Sequence, residues 1–404
     1  MNDIDNFPTD ELTAELEALL VNNASPEEFA RRLFHFTYER TRASDPLLAE
    51  MLRACAIPRT FNATIIGALR AAEEEVTTNT RLLHELLAFS FVLPVPASAD
   101  YTYHDNTRQL LLGQWQEADQ RPQYEQYQAR LVVCYQRQGE AAFQGKQYDN
   151  ALAYFNRALD VTTAHGRLYS WRGRTQVALG AYQAALADLT QAIARQCADF
   201  ATYFAVATAH YYLGDYPACT TSLTQAIALD GSDAAAYHNR GLTYKAQQAY
   251  GLALADYGEA IRLNPHDADA YHNRGNTYHA QQAYGLALAD YGEAIRLNPH
   301  HAAAYNNRGA TYKAQQAYGL ALADYSEAIP LNPHDAAAYY NTACVYGLQG
   351  QLAHLLPPLR HAFALDQAGG STRLVELTHS DPDFDLVRTE PAFQALLAEF
   401  AVGK

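Results

Sequence analysis

The sequence predicts a mainly α chain, a right-handed α-solenoid of seven helical hairpins preceded by a small helical domain. Three observations predict it. The segment AQQAYGLALADY occurs three times, beginning at Ala246, Ala280 and Ala314, an offset of 34 residues each time. In that register a small residue recurs at Gly139, Gly173, Ala207, Gly241, Gly275, Gly309 and Ala343, with a tyrosine four residues before each. Alanine recurs in step at Ala158, Ala192, Ala226, Ala260, Ala294, Ala328 and Ala362. A fixed period of this length is the mark of a stacked array.

Residues 1–131 lack that period and contain no lysine. Their apolar spacing predicts helices near 10–21, 26–41, 46–55, 60–73 and 77–89. Two short extended runs follow, Phe91-Val92-Leu93 and Tyr101-Thr102-Tyr103, separated by Pro94, Pro96 and small residues, and read as a hairpin. A helix from Thr107 to Gln116 leads on to the repeats. The stretch LLHELLAFSFVLPVPASADYTYHDNTRQLLLGQW, with its Tyr103-His104-Asp105 exit, resembles the winged-helix module that follows the nucleotide-binding domain of signal-transducing (STAND-type) NTPases.

Residues 132–369 divide into seven units, each of two amphipathic helices. In the fourth, Tyr237 to Gln247 and Tyr250 to Leu263 are the two helices, and Asn264-Pro265 ends the second, because proline disfavours helical geometry before it. Gly241 and Ala253 are small where the helices approach, and Tyr237, Tyr244, Tyr250 and Tyr257 supply large apolar faces. One hairpin cannot bury its own face, so neighbours stack. The pattern resembles the tetratricopeptide repeat. It weakens in the third unit, with Ala207 and Cys219, and in the seventh, with Ala343 and Leu355. Residues 370–404 leave the pattern and read as a cap, with Glu390 to Phe400 as its helix.

Composition narrows the function. The chain has 404 residues and a formal net charge of −15, which opposes phosphate backbones and anionic membranes. The five cysteines, Cys55, Cys134, Cys197, Cys219 and Cys344, are scattered and never spaced as C-x-x-C, so free thiols are expected rather than a disulfide framework or structural zinc. The start MNDIDNFPTD lacks a secretory pattern, and the most apolar stretch, Leu82 to Pro96, is broken by His84 and Glu85. A soluble cytoplasmic protein is expected.

No G-x-x-x-x-G-K-[ST], G-x-S-x-G, H-E-x-x-H or kinase signature occurs, so neither catalysis nor a bound cofactor is expected. The recurring pairs Asp256 with Glu259, Asp290 with Glu293, and Asp324 with Glu327 are read as a solvated outer face. His272 and His279 lie two turns apart on one helix, too far to chelate one ion, and His266, His300, His301 and His334 fall in turns expected to be exposed. No metal site is assigned. For the winged-helix-like region, the expected recognition helix from Thr77 to Phe89 has only Arg81 as a fixed cation, opposed by Glu85. The region holds eleven arginines against twenty acidic residues. Nucleic-acid binding is not expected.

The tetratricopeptide resemblance implies that the first helices line a concave face. The residue two before each small position then points into it, giving Asn239, Asn273, Asn307 and Asn341. A side-chain amide offers both a donor and an acceptor to a peptide backbone. Neighbouring groove positions add His238, Lys245, His272, Asn276, His279, Asn306, Lys313 and Tyr340. The earlier units place Trp171, Arg174, Phe204, Tyr211 and Tyr212 there. The same asparagines can instead tie helix to helix, which is the structural alternative. The leading expectation is a non-enzymatic adaptor or regulatory subunit that holds a partner's protein or peptide segment, acidic in character. The alternatives are a winged-helix DNA-binding regulator with a repeat sensor, and an accessory subunit of a separately encoded protease or NTPase in a defence or stress system. Nothing in the sequence fixes an oligomeric state.

Overall fold

The computed structural model describes residues 38–401 except 59, 73, 87–91, 96–99, 104–107, 110, 113–114 and 116–119. The helix expected near 10–21, most of that at 26–41, His104-Asp105 and half of the Thr107–Gln116 helix lie outside the described residues. The chain divides into two compact units, residues 1–205 and 206–404.

The first unit opens with α1 (Pro46–Ala54), α2 (Ala63–Arg70) and α3 (Val76–Leu86). Asp45 and Asn62 cap the first two by accepting from the Leu48 and Ile65 amides, the usual service of short polar side chains before a helix. β1 (Val92–Pro94) pairs antiparallel with β2 (Tyr101–Tyr103), in the register Val92 to Tyr103. The hairpin is tied to α1 where the buried Tyr103 hydroxyl donates to the Leu52 carbonyl at 2.9 Å. Then come α4 (Arg121–Gln144), α5 (Tyr148–Val161), α6 (Gly166–Ala178) and α7 (Tyr182–Ala194). α4 starts well before residue 131, because its early turns bury Tyr127 and Leu131 in a core shared with Leu69, Leu86 and Trp115.

α8 (Phe200–Tyr212) spans the division between the units. The second unit continues with α9 (Tyr216–Leu229), α10 (Ala234–Ala246), α11 (Tyr250–Leu263), α12 (Ala268–Ala280), α13 (Tyr284–Leu297) and α14 (Ala302–Ala314). It ends with α15 (Tyr318–Leu331), α16 (Ala336–Leu348), α17 (Leu352–Ala368), α18 (Arg373–Thr378), a 3-10 turn (Pro382–Phe384) and α19 (Pro391–Ala401). From α4 onward the helices form consecutive hairpins of a first and a second helix, the order of an α-solenoid. The first helices start earlier than sequence reading placed them, at Ala234 rather than Tyr237, because Asp233 caps the Ala236 amide. Asp267, His301 and Asp335 do the same one, two and three units on.

The period has a packing cause. A Cβ added at Gly241, Gly275 or Gly309 would lie 2.6–2.8 Å from the ring of Tyr257, Tyr291 or Tyr325 on the second helix of the same hairpin. Those rings are at most 1% exposed. Glycine is therefore required for steric room at these sites. Successive first helices also pack on one another, α10 on α12, α12 on α14 and α14 on α16, whereas second helices do not to that extent. The first helices thus form the narrower, inner face of this unit.

The turn inside each hairpin places one residue in the left-handed region, at Lys146, Gly180, Gly214, Gln248, Gln282, Gln316 and Gly350. A side chain there costs roughly 1–2 kcal/mol, partly offset by the greater unfolded-state freedom of glycine. Each of Gln248→Gly, Gln282→Gly and Gln316→Gly is therefore expected to stabilise the protein by about 0.5–1 kcal/mol. Urea unfolding followed by circular dichroism checks this, with a raised midpoint at unchanged slope.

Candidate binding surface

Each first helix of the central hairpins is locked in rotation by an ion pair to its own second helix. Arg240, Arg274 and Arg308 form two-pronged bonds to Asp256, Asp290 and Asp324 at 2.7–2.8 Å. Arg172 and Asp188 repeat the arrangement in the first unit. Each guanidinium of the central three also lies 5.5–5.6 Å from the tyrosine ring three residues before it. These aspartates are buried, which corrects their reading as a solvated face. A carboxylate can sit inside here because an arginine fork satisfies both oxygens. Glu259 and Glu293 do turn outward, onto Arg262 and Arg296, and Glu327 is exposed.

With the arginine turned to its partner helix, the residue before it sits about 100° round, on the inner face. There the asparagines form a ladder between hairpins. The Asn273 Nδ2 donates to His238 Nε2 at 3.2 Å, and Asn307 Nδ2 donates to Asn276 Oδ1 at 2.8 Å and His272 Nε2 at 3.0 Å. Asn341 Nδ2 donates to Asn306 Oδ1 at 3.1 Å. An amide nitrogen only donates, so His238 and His272 accept at Nε2 and carry their protons on Nδ1. His238 Nδ1 faces Asp267 at 3.6 Å, and hydrogen bonding from that ring holds the Asp267 carboxyl below its usual range. Burial, with the charges of His301 and Lys245, pulls His272 down to about 4, so it is neutral near pH 7. The Tyr291 hydroxyl donates to Asn276 Oδ1 at 2.8 Å, fixing that amide from below.

The ladder asparagines are half-buried, and their Oδ1 atoms have no partner among the described residues. Asn239 lines an apolar pocket of about 170 Å³ with Tyr211, Leu242 and Leu223. Tyr211 is 36% exposed and Tyr212 more so. His279 is held by Nδ1 at 2.9 Å from the Thr311 hydroxyl and Lys245 is half-buried. His272 and His279 thus bond to different residues.

Other expected groove residues are engaged within the chain. Asn306 is buried as the acceptor for Asn341. Trp171 is 9% exposed, in the core between Phe143 and Phe155, with the Arg174 guanidinium 4.1 Å from its ring. Phe204 is half-buried and stacks on Phe200 at 5.7 Å. Lys313 is paired with Asp383, and Tyr340 is buried with its hydroxyl on Asp381 at 2.8 Å. The C-terminal segment covers both, which the sequence pattern did not reveal. His301, expected in an exposed turn, caps α14 through Nδ1 and sets its ring 4.7 Å from that of His272, tilted by 48°, while His266, His300 and His334 are exposed.

Cys344, Asp381 and Asp383 converge within 4.8 Å, but the Lys313 ammonium sits on Asp383 and burial pushes the Cys344 thiol up. That set has no ready thiolate for a metal. On α3, Arg81 is engaged by Glu85 and Asp45 at 2.7 and 3.1 Å. Among the described residues, no helix is long and apolar enough to cross a membrane.

Family models described as tetratricopeptide repeat match residues 132–165, 268–301 and 302–335, and a related TPR repeat model matches 243–282. Tetratricopeptide repeats are thus present at residues 132–165 and 243–335. All of these family matches lie beyond residue 131. No curated protein matches the chain. Among solved structures, YrrB, described as a TPR protein with an unusual peptide-binding site, is 21% identical. It covers 46% of this chain and 96% of its own, with a TM-score of 0.41. The C-terminal part of a TPR repeat-containing protein from Cytophaga hutchinsonii is 18% identical, over 59% of this chain and 98% of its own, with a TM-score of 0.49. MamA is 19% identical, over 41% and 96%, with a TM-score of 0.38.

Proposed function

We propose that the protein is a non-enzymatic adaptor whose tetratricopeptide repeats hold an extended segment of a partner against the inner face of α10, α12, α14 and α16. The observation that carries this is the ladder of Asn273, Asn307 and Asn341. Each amide is pinned through its nitrogen to the preceding hairpin, and each keeps an oxygen without a partner among the described residues. Acceptors fixed before binding save the entropy of ordering them, so each backbone N–H they receive contributes nearly its full bond. At about 0.5–1.5 kcal/mol per bond, three make a measurable share of the affinity. The pocket beside Asn239 supplies a neighbouring apolar seat. The Lys245 ammonium favours a segment of acidic character, and the segment before the repeats is the second docking element or a cap.

The test is a peptide-display selection on the full chain. Peptides enriched by it are expected to lose about tenfold or more in affinity to a variant carrying Asn273→Ala, Asn307→Ala and Asn341→Ala, with the fold verified by circular dichroism. Unchanged affinity would make the ladder structural.

A further inference from the structure

Two second helices of the central hairpins carry an ion pair that closes on itself. Glu259 with Arg262 in α11, and Glu293 with Arg296 in α13, bond at 2.6 Å on the outward side. Three periods before Glu259 and Arg262 stand Arg157 and Asp160 of α5, with the signs exchanged. There the pair does not close. The Arg157 Nη2 donates instead to Asp100, next to β2, at 2.9 Å, and the Asn62 amide donates to the other oxygen of that carboxylate at 2.7 Å. Asp160 is exposed and forms no ion pair among the described residues.

The opened pair borders a cavity. About 300 Å³ lies between α5 and the chain that follows α1, and both Arg157 and Arg108 line it. The Arg108 guanidinium is oriented by the Ile57 and Pro58 carbonyls at 3.2 and 3.4 Å. Tyr135 lines the cavity from α4. It is 2% exposed, and its hydroxyl makes no hydrogen bond among the described residues. Thr60 adds a second hydroxyl. An enclosed hydroxyl without a partner has lost its bonds to water, so a ligand that accepts from it recovers the loss. Two guanidinium groups and two hydroxyls together suit an oxyanion, which accepts from all of them.

Size and charge decide what kind. The volume holds a small metabolite rather than a chain segment. Asp160 at the cavity and the net charge of −15 both repel a long polyanion, which sets nucleic acid aside. We propose that this cavity binds a small phosphate- or carboxylate-bearing metabolite through Arg108, Arg157 and the Tyr135 hydroxyl. The site belongs to the outward side of the first hairpin and does not depend on the inner face. A ligand held by both Arg108 and α5 stabilises the first unit on binding.

Pyrophosphate and citrate are the probes, titrated into the full chain by calorimetry at an ionic strength held constant with sodium chloride. At least one is expected to bind saturably and to raise the melting temperature. Pyrophosphate alone identifies a phosphate-bearing ligand, and citrate alone a polycarboxylate. Tyr135→Phe removes an oxygen that bonds nothing in the protein. It is therefore expected to melt like the parent chain without probe, yet to bind about tenfold more weakly. Arg108→Met is expected to lose at least as much. Asp160→Asn is expected to bind about threefold more tightly, because a like charge leaves the cavity. Those exchanges at Tyr135 and Asp160 keep the test decisive if Arg108→Met misfolds. Absence of saturable binding by either probe overturns the site. Binding that Tyr135→Phe and Asp160→Asn both leave unchanged also overturns it, since the anion then sits elsewhere on the protein.

Discussion

Asp290→Ala is expected to destabilise the second unit by about 3 kcal/mol, near the lower end for a buried pair broken on one side. Asp290 is 6% exposed and both of its oxygens are taken by Arg274 at 2.7–2.8 Å. Alanine leaves a guanidinium whose side chain is 22% exposed, stacked on Tyr271 and without a counter-charge. That residual solvent contact keeps the cost below that of a fully enclosed charge. The helix also loses the contact that fixes its rotation, so Asn273 and Asn307 loosen together. Surface pairs give the contrast: Glu293→Ala, which removes only the outward bond to Arg296, is expected to leave the urea midpoint essentially unchanged. Urea denaturation by circular dichroism separates the two. The double change Arg274→Met with Asp290→Leu is expected to recover most of the loss, since an apolar pair of similar volume avoids the unpaired charge.

Gly309→Ala is expected to cost about 2 kcal/mol, and Tyr325→Leu in the same chain to restore at least half of it. The added methyl would lie 2.6 Å from the Tyr325 ring edge, and the ring is fully buried and cannot move aside. The chain contains the compensated pairing already. Ala207 stands opposite Leu223 and Ala343 opposite Leu359 in the same register, so alanine occurs there beside leucine, although Gly173 faces Leu189 with an added Cβ only 2.6 Å from it. A thermal melt of the two single variants and the double checks the coupling. Additive losses would show that the clash is not the cause.

The same pairs mark what the sequence made legible. The period, the small positions and the proline ends follow from helix packing within one hairpin, a local matter that a 34-residue comparison exposes. The exceptions at Ala207 and Ala343 were visible too, but their compensation was not, because it lies sixteen residues away on the facing helix. A comparison at that spacing finds it, and would also have found Arg240 with Asp256. Without it, the aspartates read as surface charge on sign alone. The ladder positions were legible as inward-facing, while their bonds depend on which neighbour the next hairpin brings near. That is why Asn306 and Trp171 are buried and why His301 acts as a cap. Least legible was the C-terminal segment. Asp381 and Asp383 reach Tyr340 and Lys313 across more than one hairpin, and no periodicity records a contact made outside the period.

The central claim, that the inner face of the second unit receives a partner segment, is tested most directly by site-specific photo-crosslinking in source-cell lysate. A photoreactive residue replaces Ala310, the counterpart of Asn276 one period on, in one variant. In another it replaces Leu286, which is 54% exposed on a second helix. The account predicts a defined protein adduct from position 310, lost when Asn273→Ala and Asn307→Ala are added, and none from position 286. An adduct from position 286 alone, or one from position 310 that survives the asparagine changes, would contradict it.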